Sequence, residues 1–249
     1  MPYPGLKKDD RRRNDLQTAL WQEIPRKLHY SLPLRQYGPD SENDCPTGGQ
    51  DTLGEYTMPP DPLPSPLQQF VNTVTTALDE GREEARLLPR VGEAMKALVA
   101  RDNWLDPACA RPHPQYYQQY LLYLDPKARF SVVSFVWAPG QQTPIHDHTV
   151  WGCVGMLRGE EREQHYTVAA DGIPRPLGEE RRLRPGEAVF VSPTLGDIHT
   201  VSNAQADQVS ISIHAYGGNI GTIQRHVFPP EGGAPKNFVS GYANAATPT

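Results

Sequence analysis

Cysteine is scarce: Cys45, Cys109 and Cys153 are the only three in 249 residues, and no CxxC pair occurs. That excludes a disulfide framework and a cysteine-ligated structural zinc, and it suits a reducing compartment. Long apolar runs are also missing. Nothing approaches the roughly 18 residues needed to cross a bilayer, and the N-terminus, MPYPGLKKDDRRRNDL, has no apolar leader. Nor is there a surplus of positive charge. Lys and Arg total 24 against 29 Asp and Glu, a net charge of −5, and the one basic run, Lys7 to Arg13, is interrupted by Asp9 and Asp10. Nucleic acid and membrane are therefore not expected partners, and a soluble cytoplasmic protein is the expectation.

What is present divides the chain. From Met1 to about Pro64 the sequence is rich in Pro, Gly, Asp and charge, as in GPDSENDCPTGGQDTLGEYTMPPDPLPSP. It reads as an irregular extension, 1–64, in which only Leu16 to Ile24 has the spacing of a short docking helix. Ser65 with Pro66 behind it predicts a helix start, and Leu67, Phe70, Val71, Val74, Ala77 and Leu78 form one stripe that ends near Gly81. A second helix is predicted over Pro89 to Arg101, so that 65–112 forms a helical cap.

Beyond about Tyr116 the period changes. Phe130–Trp137, Gly152–Leu157, Arg162–Val168, Ala188–Val191, Thr200–Ser202 and Val209–Tyr216 are short β-branched or aromatic runs separated by turn signals such as Ala138-Pro-Gly140 and Arg184-Pro-Gly186. Strands without intervening helices predict an antiparallel sandwich or barrel over 113–249, with 65–249 as one structural domain.

The chemistry concentrates in two blocks. Read as a strand, Pro144-Ile-His-Asp-His148 projects His146 and His148 to one side, where they can hold one ion. Gly140 and Gly159 bracket this pair, and about 50 residues on comes Gly196-Asp-Ile-His199-Thr-Val-Ser-Asn203. The pattern G(x)5HxH(x)10G followed by G(x)2H(x)3N resembles the two blocks of the cupin superfamily. The resemblance implies a double-stranded β-helix, or jelly-roll barrel, with metal inside. Where the usual cupin pattern has a glutamate ligand, this chain has Gly152. Three neutral imidazoles would leave a divalent ion its full charge and open positions, which suits a thiolate, and O2 if the ion is Fe(II). A metal-free cupin with satisfied histidines is the competing reading.

Downstream, Ser212-Ile-His214-Ala-Tyr216 puts three polar side chains on one strand face, either lining a polar cavity or facing solvent. HxH, a histidine after PxxGxxH, and SxHxY together resemble the thiol dioxygenases, the family of cysteine dioxygenase and bacterial 3-mercaptopropionate dioxygenase. The likeness runs from about Pro112 to Tyr242. It implies Fe(II) on His146, His148 and His199, with Ser212, His214 and Tyr216 as an outer-sphere triad. It implies oxidation of a small thiol by O2 to the sulfinic acid. Animal-type cysteine dioxygenases carry an arginine in a YxR context before the HxH block, where this chain reads Tyr117-Gln118-Gln119. A glutamine there, with an arginine soon after SxHxY, is similar to the mercaptopropionate type and points to Gln119 and Arg225 as carboxylate-side residues. Gln118 replaces Gln119 if the register slips, and Arg225 is otherwise a structural surface arginine.

Those animal-type enzymes also link a cysteine to the tyrosine of SxHxY. Strand parity from His146 through Gly152 turns Gly152 toward the metal and Cys153 away, so no cross-link is expected. His165 is expected to be an exposed strand residue, and His29, His113 and His226 have no partner spacing. A reading of another class is a non-catalytic or zinc-loaded cupin that serves as a binding or sensor domain, although no DNA-binding segment is recognisable.

Overall fold

Two antiparallel sheets face each other, and helices cover the outside of one. The computed structural model describes residues 63–245. The expected irregular extension, its Leu16–Ile24 helix and Cys45 lie outside the described residues, apart from 63 and 64. No helix among the described residues is long and apolar enough to cross a membrane.

Helix α1, Ser65–Glu80, starts with Ser65 already inside the helix, because the Pro64 carbonyl accepts from Gln68 N at 2.9 Å. The expected Ser65 cap is therefore one residue off, and Pro66 sits in the first turn, where no amide hydrogen is needed. Helix α2 runs Glu84–Val99, five residues ahead of the expected start at Pro89. Proline ends a helix by its missing N–H and its clash with the preceding turn. Here the loss falls near the N-terminus and is offset by burial of Leu87, Leu88, Val91, Met95, Leu98 and Val99.

A 3-10 turn, Pro107–Ala110, leads into β1 (Gln118–Leu124), β2 (Ser131–Trp137), β3 (Gly152–Arg158), β4 (Glu161–Val168), β5 (Pro174–Leu183), β6 (Ala188–Val191), β7 (His199–Asn203), β8 (Ser210–Tyr216), β9 (Arg225–Val227) and β10 (Lys236–Phe238). The first sheet has the order β1-β2-β8-β3-β6 and the second β5-β4-β7, while β9 pairs with β10. Bridges from Gln142 to Ser202 and from His146 to both His199 and Val227 join β7 to the β9-β10 pair across the 142–146 segment. The result is the expected mostly antiparallel double-stranded β-helix with two N-terminal helices.

Alternation on the first sheet sets its two faces. Val132, Val136, Cys153, Leu157, Ile211, Ile213 and Ala215 point outward into one core with both helices. Gly155 and Gly92 are small because α2 lies so close: a Cβ on Gly155 would stand 2.5 Å from Met95, and one on Gly92 2.4 Å from Phe190. Leu121, Val133, Phe135, Trp137 and Tyr216 point inward toward the second sheet. The polar ladder of Ser212, His214 and Tyr216 shares that inner face, which excludes the solvated alternative.

Candidate metal centre

His146, His148 and His199 bring one ligand atom each within 4.8 Å of one another, all three buried. The premise of an HxH strand needs correction. Residues 145–151 form a loop stitched by single bridges, and Thr149 takes φ 60°, a left-handed turn inside the stretch expected to alternate. His146 instead faces His199 as an antiparallel pair, each backbone N–H donating to the other's carbonyl at 3.1 and 3.0 Å. His148 is held separately, by Asp197.

Each imidazole spends one nitrogen on the protein. Nδ1 of His146 donates to the Pro144 carbonyl at 3.0 Å, Nδ1 of His148 to Asp197 at 2.9 Å, and Nδ1 of His199 to Glu163 at 2.7 Å. With Nδ1 protonated in every ring, the free lone pair is on Nε2. Burial pushes His146 and His148 well below the usual imidazole range, with the neighbouring histidines and Arg225 adding to it. The His146 and His148 rings are thus neutral, and in all three rings a carboxylate or carbonyl partner at Nδ1 leaves Nε2 as the ligating nitrogen. A divalent ion fits these three residues.

The outer partners were not identified from sequence. Asp197 also accepts from the backbone N–H groups of His148 and Thr149, at 3.0 and 2.8 Å, and thereby shapes the loop. Glu163 is pushed up by burial, but its hydrogen bonds to His165 and His199 prevail and hold it well below the usual carboxylate range. His165 is half-buried rather than exposed, because its Nε2 lies 3.4 Å from Glu163. Asp147, between the two histidines, accepts from the backbone N–H and Nδ1 of His226, both at 2.7 Å. That contact pins β9 beside the ligand loop, a role that spacing gave no reason to assign to His226. Proximity of Asp197 to His199 in the chain was the one available signal.

Beside the histidines lies the polar ladder of β8. Ser212 Oγ is 2.8 Å from His214 Nε2, and His214 Nδ1 is 2.7 Å from the Tyr216 hydroxyl. The Tyr216 ring stacks on His148 with centroids 5.2 Å apart. Burial lowers His214 and raises the Tyr216 phenol, so the chain is neutral. Gly152 is the register partner of Tyr216, and a Cβ there would stand 3.0 Å from its ring. Cys153 pairs with Ala215 and enters the helix-covered core on the other face, where burial pushes its thiol up. A bond between Cys153 and Tyr216 would have to cross the sheet.

Arg225 enters from β9 with only 3% exposure. Its Nη2 donates to Ser240 Oγ at 2.6 Å, its guanidinium lies 4.5 Å over Phe238, and Nε has no partner. Among the described residues no carboxylate forms an ion pair with it. Burial presses its ionisation down, yet arginine stays charged, so a buried cation is left with a donor to spend. Gln119 reaches the same neighbourhood, with Nε2 3.3 Å from Ser240 Oγ and 3.0 Å from the Gly241 carbonyl. Pairing of Gln119 with Phe135, and of Phe135 with Ser212, puts Gln119 on the inner face and Gln118 on the outer. Gln118 thus stands on the face turned away from the β8 ladder. Ser240, which joins the arginine to the glutamine, carried no sequence signal.

These residues lie within a recognisable span. Residues 114–227 match the family model of cysteine dioxygenase type I, and of the groups above only Phe238, Ser240 and Gly241 fall outside it. Solved structures with a similar course include an uncharacterized conserved protein with a double-stranded beta-helix domain from Klebsiella pneumoniae. It is 19% identical over 45% of this chain and 82% of its own, with a TM-score of 0.36. Another is a cupin superfamily protein from Desulfitobacterium hafniense, 14% identical over 44% of this chain and 83% of its own, TM-score 0.32.

Proposed function

We propose that this protein is a non-haem iron thiol dioxygenase that oxidises a small thiol carboxylate, 3-mercaptopropionate by preference and cysteine as an alternative, to the sulfinic acid: RSH + O2 → RSO2H. The observation that carries the reading is the meeting of three Nε2 lone pairs with a buried arginine that no carboxylate neutralises, close enough to press on His146 and His148 electrostatically. His146, His148 and His199 would hold the metal. Fe(II) there would supply a redox-active Lewis acid able to bring a thiolate and dioxygen together.

The remaining residues handle orientation and protons. Arg225 would take the substrate's far carboxylate through its free donor, a charge-assisted bond in a water-poor setting. Gln119 and Ser240 would hold the guanidinium in place. Tyr216, fed by His214 and Ser212, would donate a hydrogen bond to substrate or oxygen beside His148.

The test is metal analysis of the purified protein, then O2 uptake and sulfinate yield with 3-mercaptopropionate, cysteine and cysteamine after Fe(II) reconstitution. Iron with thiol-dependent uptake supports the reading. Zinc, with no uptake after reconstitution, would return the protein to the binding-domain alternative.

Two substitutions probe the roles. Tyr216→Phe keeps the ring that packs on His148 and is expected to leave iron bound while kcat falls roughly 10- to 100-fold, or sulfinate per O2 drops. Unchanged rate and coupling would remove the tyrosine from the chemistry. Arg225→Gln is expected to cost about 1.5–3 kcal/mol of binding to a thiol carboxylate, roughly 10- to 100-fold in kcat/KM. Cysteamine, which has no carboxylate, should be spared, and an equal loss for both would make Arg225 a packing residue.

A further inference from the structure

The inner end of β4 holds a group that neither the metal nor the substrate reading uses. Glu161 is 1% exposed, and neither oxygen of its carboxyl has a hydrogen-bond partner. It lies on β4, in the sheet opposite the one that carries the β8 ladder. There Ser212, Trp137 and Ser210 face it with hydrogen-bonding groups that favour ionisation without closing a direct bond. Glu163, two residues along the same strand, is the charged group facing it, and its negative charge opposes ionisation. Asn203 of β7 is its register partner and spends its amide on the Trp137 and Gln208 carbonyls. Trp137 Nε1 donates to Ser212 Oγ at 3.4 Å.

We propose that Glu161 is a positioning residue whose protonation sets the direction of the Ser212–His214–Tyr216 hydrogen-bond chain, and so decides whether Tyr216 donates to the metal cavity or accepts from it.

Proton bookkeeping gives two self-consistent arrangements. With Glu161 protonated, its O–H turns to Ser212 Oγ, which also takes the Trp137 N–H. Ser212 then gives its own proton to Nε2 of His214, Nδ1–H donates to the Tyr216 oxygen, and the Tyr216 O–H is left for the cavity. With Glu161 ionised and its proton released to solvent, the carboxylate draws the Ser212 O–H to itself. Ser212 Oγ then accepts from Nε2–H, the bare Nδ1 accepts from Tyr216, and the cavity meets only a phenol lone pair. The heavy-atom distances of 2.8 and 2.7 Å serve both orders. His214 stays neutral in both, as its burial requires, and changes only its tautomer. Burial pushes the Glu161 carboxyl up to about 8, which makes the donating order the resting one near neutral pH.

The catalytic consequence rests on the thiol dioxygenase reading, but the switch itself does not, so the two are tested separately. Infrared difference spectra of the full-length, metal-free protein between about pH 6 and about pH 10 should show the carbonyl band of a buried protonated carboxyl disappearing on the alkaline side. In step with it, the phenol C–O band assigned by Tyr216→Phe should shift. Glu161→Gln, whose amide can donate to Ser212 but cannot ionise, should lack both changes. Ser212→Ala should keep the carboxyl titration and lose the tyrosine shift, and it carries the test if Glu161→Gln fails to fold. A carboxyl already ionised at the acid end, or a tyrosine shift that survives Ser212→Ala, overturns the proposal. In the iron-loaded protein, kcat should fall roughly tenfold between pH 7 and pH 9, following the protonated fraction of a group near 8, and Glu161→Gln should flatten that limb. A flattened limb supports the switch, and an unchanged limb overturns it. Coupled infrared changes with no sulfinate formed at any pH support the switch while defeating the dioxygenase reading.

Discussion

His199→Ala is expected to leave a folded protein that retains no stoichiometric metal after desalting and forms sulfinate only at background. His199 supplies one of three Nε2 donors, so its loss should exceed the roughly 10- to 100-fold that removing an outer partner costs in metal affinity. The fold survives because the 146–199 pairing is made by backbone groups, at 3.1 and 3.0 Å, which alanine keeps. Thermal stability should drop by about 1–3 kcal/mol, since Glu163 loses its 2.7 Å partner and keeps only His165 at 3.4 Å. His165 is the control. Glu163, His165 and His199 also come within ligand reach of one another, but His199 already donates through Nδ1 to Glu163, so its free nitrogen faces His146 and His148. His165→Ala should therefore keep the metal. Retention of metal by His199→Ala, with loss in His165→Ala, would move the centre to the second group.

The second large effect is expected from the smallest change, Gly152→Ala. An added methyl would stand 2.8 Å from a Val191 methyl and 3.0 Å from two carbons of the Tyr216 ring. Tyr216 cannot retreat freely, being packed on His148 and hydrogen-bonded to His214. Overpacking of this kind costs about 1–3 kcal/mol of stability. A displacement of the hydroxyl by about an ångström can cost on the order of 100-fold in turnover. Calorimetry, metal content and kcat together check it: melting temperature and turnover should fall while metal stays bound. Native turnover with an alanine at 152 would mean that the tyrosine position is uncritical. The same contacts explain an absence noted in the sequence. The ring of Tyr216 fills the space that a side chain at 152 would enter, so a carboxylate there and this tyrosine exclude one another.

Periodicity captured what local physics controls. The core strands β2, β3, β4, β6, β7 and β8 were legible because β-branched and aromatic residues alternate between two buried or half-buried faces. β5 was not, because Pro-Arg-Pro-Leu-Gly-Glu-Glu-Arg-Arg-Leu lies at a sheet edge with its middle eight residues exposed. An edge strand tolerates proline, and its stability comes from the ladder with β4 rather than from burial. Pro89 misled for the opposite reason: six buried apolar side chains outweigh one lost helix hydrogen bond. At the site, the parity argument reached the right face for Gly152 and Cys153 from a wrong premise. Thr149 breaks the assumed strand, and the faces are set instead by the pairing of β3 with β8.

By itself the sequence determined the kinds of donor and their spacing. Three histidines without a carboxylate, the Ser-His-Tyr ladder on one face of β8, and glycines where backbones and rings meet closely are all local properties of strand and turn. The tertiary structure alone decided which nitrogen of His148 and His199 is free, because Asp197, in the turn before β7, and Glu163, on β4, reach their Nδ1 atoms. It also brought Gln119 to Ser240 and Arg225 across more than a hundred residues, and buried the Glu161 carboxyl without a hydrogen-bond partner. Proton placement and ionisation depend on burial and on partners that the fold supplies, and no spacing along the chain encodes either.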